Sequence, residues 1–78
     1  MIKEQLDALL RRLVDDPDQV EVEEFDSGDA IVFEARVAQA DLGKVIGRQG
    51  RTARAIRSLL AERGSQDGAR YEFEVVDD

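Results

Sequence analysis

The sequence predicts a two-layer α+β domain, a three-stranded sheet covered on one face by helices, from three observations. Apolar residues recur at helical spacing over residues 1–14. They alternate with polar ones in three later stretches, at 20–25, 31–37 and 71–75, and they return to helical spacing between the second and third of these. A helix with one apolar stripe and a strand with one apolar face each need a covering layer, and the order helix, strand, strand, helix, helix, strand supplies it. A chain of 78 residues holds one modest core, so a single domain over residues 1–78 is expected.

In the first element, Ile2, Leu6, Leu9, Leu10, Leu13 and Val14 fall on one face at about 100° per residue, which makes residues 1–14 an amphipathic helix. "DDPDQ" (15–19) stops it, because Pro17 cannot extend a helix and disfavours helical geometry at Asp16. Val20 and Val22 alternate with Glu21 and Glu23, "DSGD" (26–29) turns the chain, and Ile31, Phe33, Ala35 and Val37 alternate with Val32, Glu34 and Arg36. This is a hairpin. Its phase slips at Glu23, Glu24 and Phe25, where a bulge would fit.

"ADLGKVI" (40–46) suits a short helix ended by Gly47, and Arg51 to Arg63 suits a longer one. In the longer helix Ala53, Ile56 and Leu60 share the buried face, Leu59 lies at its edge, and Arg51, Arg54 and Arg57 lie opposite. "GSQDG" (64–68) breaks the chain before Tyr71, Phe73 and Val75 alternate with Glu72 and Glu74 as the last strand. The outer sheet face would then carry Glu21, Glu23, Glu34, Glu72 and Glu74, on the side away from the arginines. The aromatics are Phe25, Phe33, Tyr71 and Phe73; three of them are in phase with inward strand positions, and they read as core rather than as a platform for stacked bases.

Several functions are disfavoured by composition. The chain has no cysteine and no histidine, so it lacks the commonest metal ligands, a thiol nucleophile and the usual general base near neutral pH. A non-catalytic protein without a cofactor is expected. Asp15, Asp16 and Asp18 lack the central glycine and terminal glutamate of a calcium loop and read as a polar connection. No apolar run approaches the roughly 20 residues of a spanning helix, and the charged residues within 1–14 are unlike a secretory signal, so a cytoplasmic location is expected.

Charge is unevenly distributed. The formal net charge is -7, yet Lys44 to Arg63 holds six basic residues against one acidic, leaving five basic against 17 acidic elsewhere. Screening acts over about 8 Å at physiological salt, so an anion near that segment feels its cations more than the distant acids.

Within this segment Gly47 and Gly50 join the two helices. Gly47 can take the left-handed conformation that ends a helix, and Gly50 lets a ligand backbone approach where a Cβ would obstruct it. The amides opening the second helix point at the incoming group and favour an anion, and Arg48 and Arg51 add charge beside them. The combination describes a phosphate clamp. Its setting, "LGKVIGRQGRTARAIRSLL", resembles the central signature of the KH domain, in which a G-x-x-G loop, here 47–50, joins two helices. The element order resembles the type II arrangement of that family, and the length is similar to that of the small bacterial single-KH proteins of the KhpA-like group.

The resemblance implies a groove for about four nucleotides of single-stranded RNA, with the loop holding the backbone. Gly47 and Gly50 would admit the sugar-phosphate chain, Arg48 and Gln49 would face it, and Lys44, Arg51 and Arg54 would flank it. Gly43, Val45 and Ile46 could shape the groove, with the core-facing and base-facing side chains left open. The resemblance also implies an RNA chaperone or post-transcriptional regulator that forms a homodimer or works with a larger Jag-type KH-containing partner. The alternative reading is a protein interaction module whose basic helix face meets an acidic partner.

Overall fold

The computed structural model describes residues 2–77, and its first helix, α1 (Ile2–Leu13), is the amphipathic element that the apolar spacing predicts. Leu6 and Leu10 are buried on it, and Val14 continues the stripe just past its end. Arg11 then closes the connection that follows. Its guanidinium pairs with Asp7 one turn earlier and donates to the carbonyls of Pro17 and Val20 at 2.9 and 3.3 Å, holding a single 3₁₀ turn, Pro17–Gln19, under the helix end.

Strands β1 (Glu21–Asp26) and β2 (Ile31–Arg36) pair antiparallel, and β3 (Tyr71–Val75) pairs parallel to β2 on its other side. The order in the sheet is β1-β2-β3, with β2 central. The β1–β2 register runs unbroken from Glu21 opposite Arg36 to Asp26 opposite Ile31, so there is no bulge. The slip in the pattern is absorbed by side-chain placement. Glu24 takes the inward position opposite Phe33, and Phe25 faces outward opposite Val32.

Phe25 is therefore 44% exposed, outside the core that the sequence assigns it to, while outward-facing Val32 on the central strand is buried. The other aromatics follow the inward phase: Phe33 and Phe73 are buried, and Tyr71 meets Phe33 edge-on at 5.8 Å between ring centroids. On the outer face Glu23, Glu34 and Glu74 stand directly across all three strands.

A parallel neighbour for β2 requires a crossover, and α2 (Leu42–Ile46) and α3 (Arg51–Asp67) provide it. Ala53, Ile56 and Leu60 of α3 pack into one cluster with Leu6, Leu10, Val22, Phe33, Val45 and Phe73, which covers the inner face of the sheet. Leu59 is 65% exposed, well outside the core rather than at its edge. The helix also runs through "GSQD", which the sequence assigns to a break. Gly64 is buried there and lets Ala69 and Tyr71 come close, Arg63 pairs with Asp67 at 3.0 Å, and only Gly68, with φ of 67°, ends the helix. Tyr71 donates its hydroxyl to Asp67 at 2.7 Å and latches β3 to the helix end.

Two outcomes are expected. In Gly64→Ala the new Cβ would lie 2.5 Å from the Ala69 carbonyl oxygen. The helix-propensity gain of about 1 kcal/mol is then outweighed by an overpacking cost of about 1–3 kcal/mol, and the urea midpoint should fall. The Tyr71 hydroxyl, with help from Arg63, holds the Asp67 carboxyl below its ordinary value. A depressed folded-state pKa stabilises above the unfolded value and loses that contribution as pH falls through the folded one. Acid titration below about pH 4 should therefore destabilise the wild type more than Asp67→Asn, measured as the pH dependence of the melting temperature.

Candidate nucleic-acid interface

The loop between α2 and α3 is built around two different glycine conformations. Gly47 has φ 81° and ψ 167°, and its N–H donates to the Gly43 carbonyl at 2.8 Å. Its φ is positive, but it lies in an extended region open essentially to glycine alone rather than in the left-handed conformation that the sequence assigns to it. A Cβ there would come within 2.3 Å of the Thr52 hydroxyl. Gly50 is the left-handed residue, at φ 74° and ψ 14°, and its N–H donates to the Gly47 carbonyl at 3.0 Å. Gln49 between them also has positive φ, 56°, and accepts a hydrogen bond from Arg51 at 3.3 Å.

Gly50 presents bare backbone to open space, since a Cβ on it would meet nothing within 4 Å, and the same is true of Gly43. No side chain caps the N-terminus of α3 among the described residues; the Arg51 N–H donates to the Arg48 carbonyl, and helix geometry leaves the next amides of the first turn without an intrahelical partner. On α2, Val45 is buried in the core and Ile46 is 40% exposed on the same side as Gly43, three residues before it. The choice that the sequence leaves open is thus made by packing: Val45 faces inward and Ile46 faces the loop side.

The predicted cations divide into two groups. Arg48, Arg51 and Arg54 are exposed around the loop, and neither Arg48 nor Arg54 has a hydrogen-bond or ion-pair partner among the described residues. Lys44 is held. Its ammonium lies 3.1 Å from Asp15 and 3.7 Å from Asp41, and the hydrogen bond to Asp15 raises its pKa above the ordinary value. Asp41 is the one buried charged residue among those described; its two oxygens accept the backbone N–H groups of Asp15 and Asp16 at 3.2 and 3.1 Å. This carboxylate ties the start of α2 to the end of α1. Sequence reasoning missed it, although an acid directly before the apolar run of a short helix is a signal that could have found it.

An open groove of about 730 Å³ continues from α3 along β3, lined by Arg57, Ala61, Ser65, Arg70, Tyr71 and Phe73 among others. β3 is an edge strand. Ile31 donates to the Arg70 carbonyl and Val76 donates to that of Ala35, so the alternate residues Tyr71, Phe73 and Val75 turn their backbone groups away from β2. Arg57 leans over this edge, donating to the Phe73 carbonyl at 3.4 Å with its guanidinium carbon 6.0 Å from the ring centroid. The groove was not legible as a linear motif because α3 meets β3 only after folding.

The glycines should respond unequally to alanine. Gly47→Ala combines a forbidden backbone region with a clash and should cost at least about 1–3 kcal/mol, whereas Gly50→Ala should cost about 1–2 kcal/mol from its left-handed conformation alone. Urea unfolding of the two variants should give the lower midpoint for Gly47→Ala.

Residues 3–75 match the family model described as KhpA/KhpB, KH domain. The chain is 38% identical to the RNA-binding protein KhpA of Chlamydia trachomatis over 99% of both chains. It is 41% identical to the RNA-binding protein KhpA of Aquifex aeolicus, covering 97% of this chain and 96% of that one. To the protein of that name from Clostridium acetobutylicum it is 39% identical, over 96% of this chain and all of the relative. No solved structure gives a significant match. With helices in the type II order around a G-x-x-G loop and a family match over nearly its whole length, the chain belongs to the KhpA/KhpB family of KH domains.

Proposed function

We propose that this protein binds single-stranded RNA, without catalysis, by clasping the sugar-phosphate backbone at Gly47–Gly50. The observation that carries the reading is the bare backbone of Gly50 at the N-terminus of α3, which no side chain caps, flanked by Arg48 and Arg54, which have no partner among the described residues. The relatives carry the name RNA-binding protein, which supports it over a protein interaction module.

In this reading a phosphate sits against the first-turn amides of α3 that have no intrahelical partner, where helix-terminal N–H groups favour an anion. Arg48, Arg51 and Arg54 neutralise it and its neighbours, Gln49 contacts the backbone from the loop tip, Gly47 lets the loop close over Thr52, and Gly43 and Gly50 leave room for the sugar. Ile46 gives the next nucleotide an apolar surface, and the bases run toward the α3–β3 groove, where outward-facing backbone groups of β3 are available for hydrogen bonds to their edges. Lys44 lies at the rim. The absence of histidine and cysteine from the chain favours binding over chemistry.

Residues 1–78 act as one KH unit, and a groove of about four nucleotides binds weakly alone. A homodimer, or a larger Jag-type KH-containing partner, would raise the effective concentration of a second contact, which suits an RNA chaperone or post-transcriptional regulator in the bacterial cytoplasm.

The test is fluorescence anisotropy of a labelled random single-stranded RNA, titrated with wild type and with the Arg48→Asp, Gln49→Asp double variant over a salt series. Wild-type log affinity should fall against log salt with a slope of about -2, three phosphates' worth on a single strand. The double variant should lose at least about tenfold in affinity with its circular dichroism melt unchanged, the reversal of one loop cation being worth about 1.4 kcal/mol or more. Equal affinity of the two proteins would sink the assigned site.

A further inference from the structure

Among the described residues, Lys44 is the one cation around the Gly47–Gly50 loop that is paired with acids, and the pairing has an unusual support. Asp41 is buried and has both oxygens occupied by the N–H groups of Asp15 and Asp16. Those bonds fix the backbone after α1, so the Asp15 side chain is presented to Lys44 by an anchored segment rather than by a free surface loop. The two acids differ in exposure and in their bonding. Asp41 cannot move without exposing a tethered core carboxylate, whereas the Asp15 side chain is 82% exposed and that of Lys44 is 45% exposed. Lys44 lies on α2 three residues before its C-cap, Gly47, which places the lysine about one helical turn before the loop.

The geometry points to Asp15 as an internal competitor that withholds Lys44 from an RNA phosphate at the loop. This rests on the RNA-binding reading above. A phosphate could take the ammonium only by displacing the Asp15 carboxylate, so in the wild type the pair stays closed and Lys44 makes no phosphate contact, with Asp41 fixed in either case. The exchange would swap one ion pair for another, so Lys44 adds little net affinity in the wild type, and loose association with any passing polyanion is reduced. Arg48 and Arg54, with no ion-pair partner among the described residues, carry no such penalty.

Asp15→Asn tests this. The substitution keeps the backbone N–H that Asp41 accepts and removes only the exposed charge, so the melting temperature should hold. In the anisotropy titration, RNA affinity should rise roughly two- to fivefold, the worth of one exposed ion pair. The slope of log affinity against log salt should steepen by about 0.7, one more phosphate on a single strand. Both changes should vanish when Asp15→Asn is made in a Lys44→Gln background. An unchanged slope, or the same gain without Lys44, would overturn the proposal and leave Asp15 as one acid in the general field. Should wild type and the Arg48→Asp, Gln49→Asp variant give the same isotherm, the RNA-binding reading fails first and this one with it; the comparison of those two proteins separates the failures.

Discussion

Because β2 and β3 run parallel, no tight turn can join them, and the chain must leave the sheet and return over it. The return is α2, the glycine loop and α3, so the segment that closes the fold is also the one that carries the candidate interface. Its position is set from both ends. Val45, Ala53, Ile56 and Leu60 anchor the helices to the sheet through the common core, and the loop between them is left at the rim with its backbone exposed. A clamp built on main-chain amides needs this kind of support, since loop amides point consistently only when the helices on either side are fixed.

Asp41 adds a second constraint from the side of α1. A buried carboxylate is costly unless its oxygens are satisfied, and here two backbone N–H groups from the segment after α1 satisfy them. The bond pattern converts the burial of one charge into a fixed relation between the first helix and the start of the second. It also sets which charges meet at the rim, because the segment that Asp41 holds is the one that bears Asp15.

The uneven charge has a related logic. Glu23, Glu34 and Glu74 stand in one row across the outer sheet face, while Arg48, Arg51 and Arg54 surround the loop on the helical side. Like charges directly opposite one another weaken a sheet slightly, and that cost is offset by the core beneath. With screening over about 8 Å, the two faces act largely as separate surfaces, and on the RNA-binding reading the acidic one repels the polyanion that the loop face receives. An acidic total charge is thereby compatible with an RNA-binding reading.

The element order, the core positions Leu6, Leu10, Phe33, Ala53, Ile56, Leu60 and Phe73, and the Gly47–Gly50 loop were determined by the sequence itself, because period and glycine spacing are local properties of the chain. Other features were decided only by tertiary structure. Phe25 lies outside the core because the unbroken β1–β2 register, not local hydrophobicity, chooses the face of each side chain. Helix α3 continues through Gly64 because a buried glycine is what lets Ala69 and Tyr71 pack against it, a requirement that local propensity reads as a break. The pairing of Lys44 with Asp15, and of Asp41 with the backbone after α1, joins residues some 25 positions apart in the chain. No periodicity records such a contact, since it exists only once α1 and α2 have been brought together over the same core.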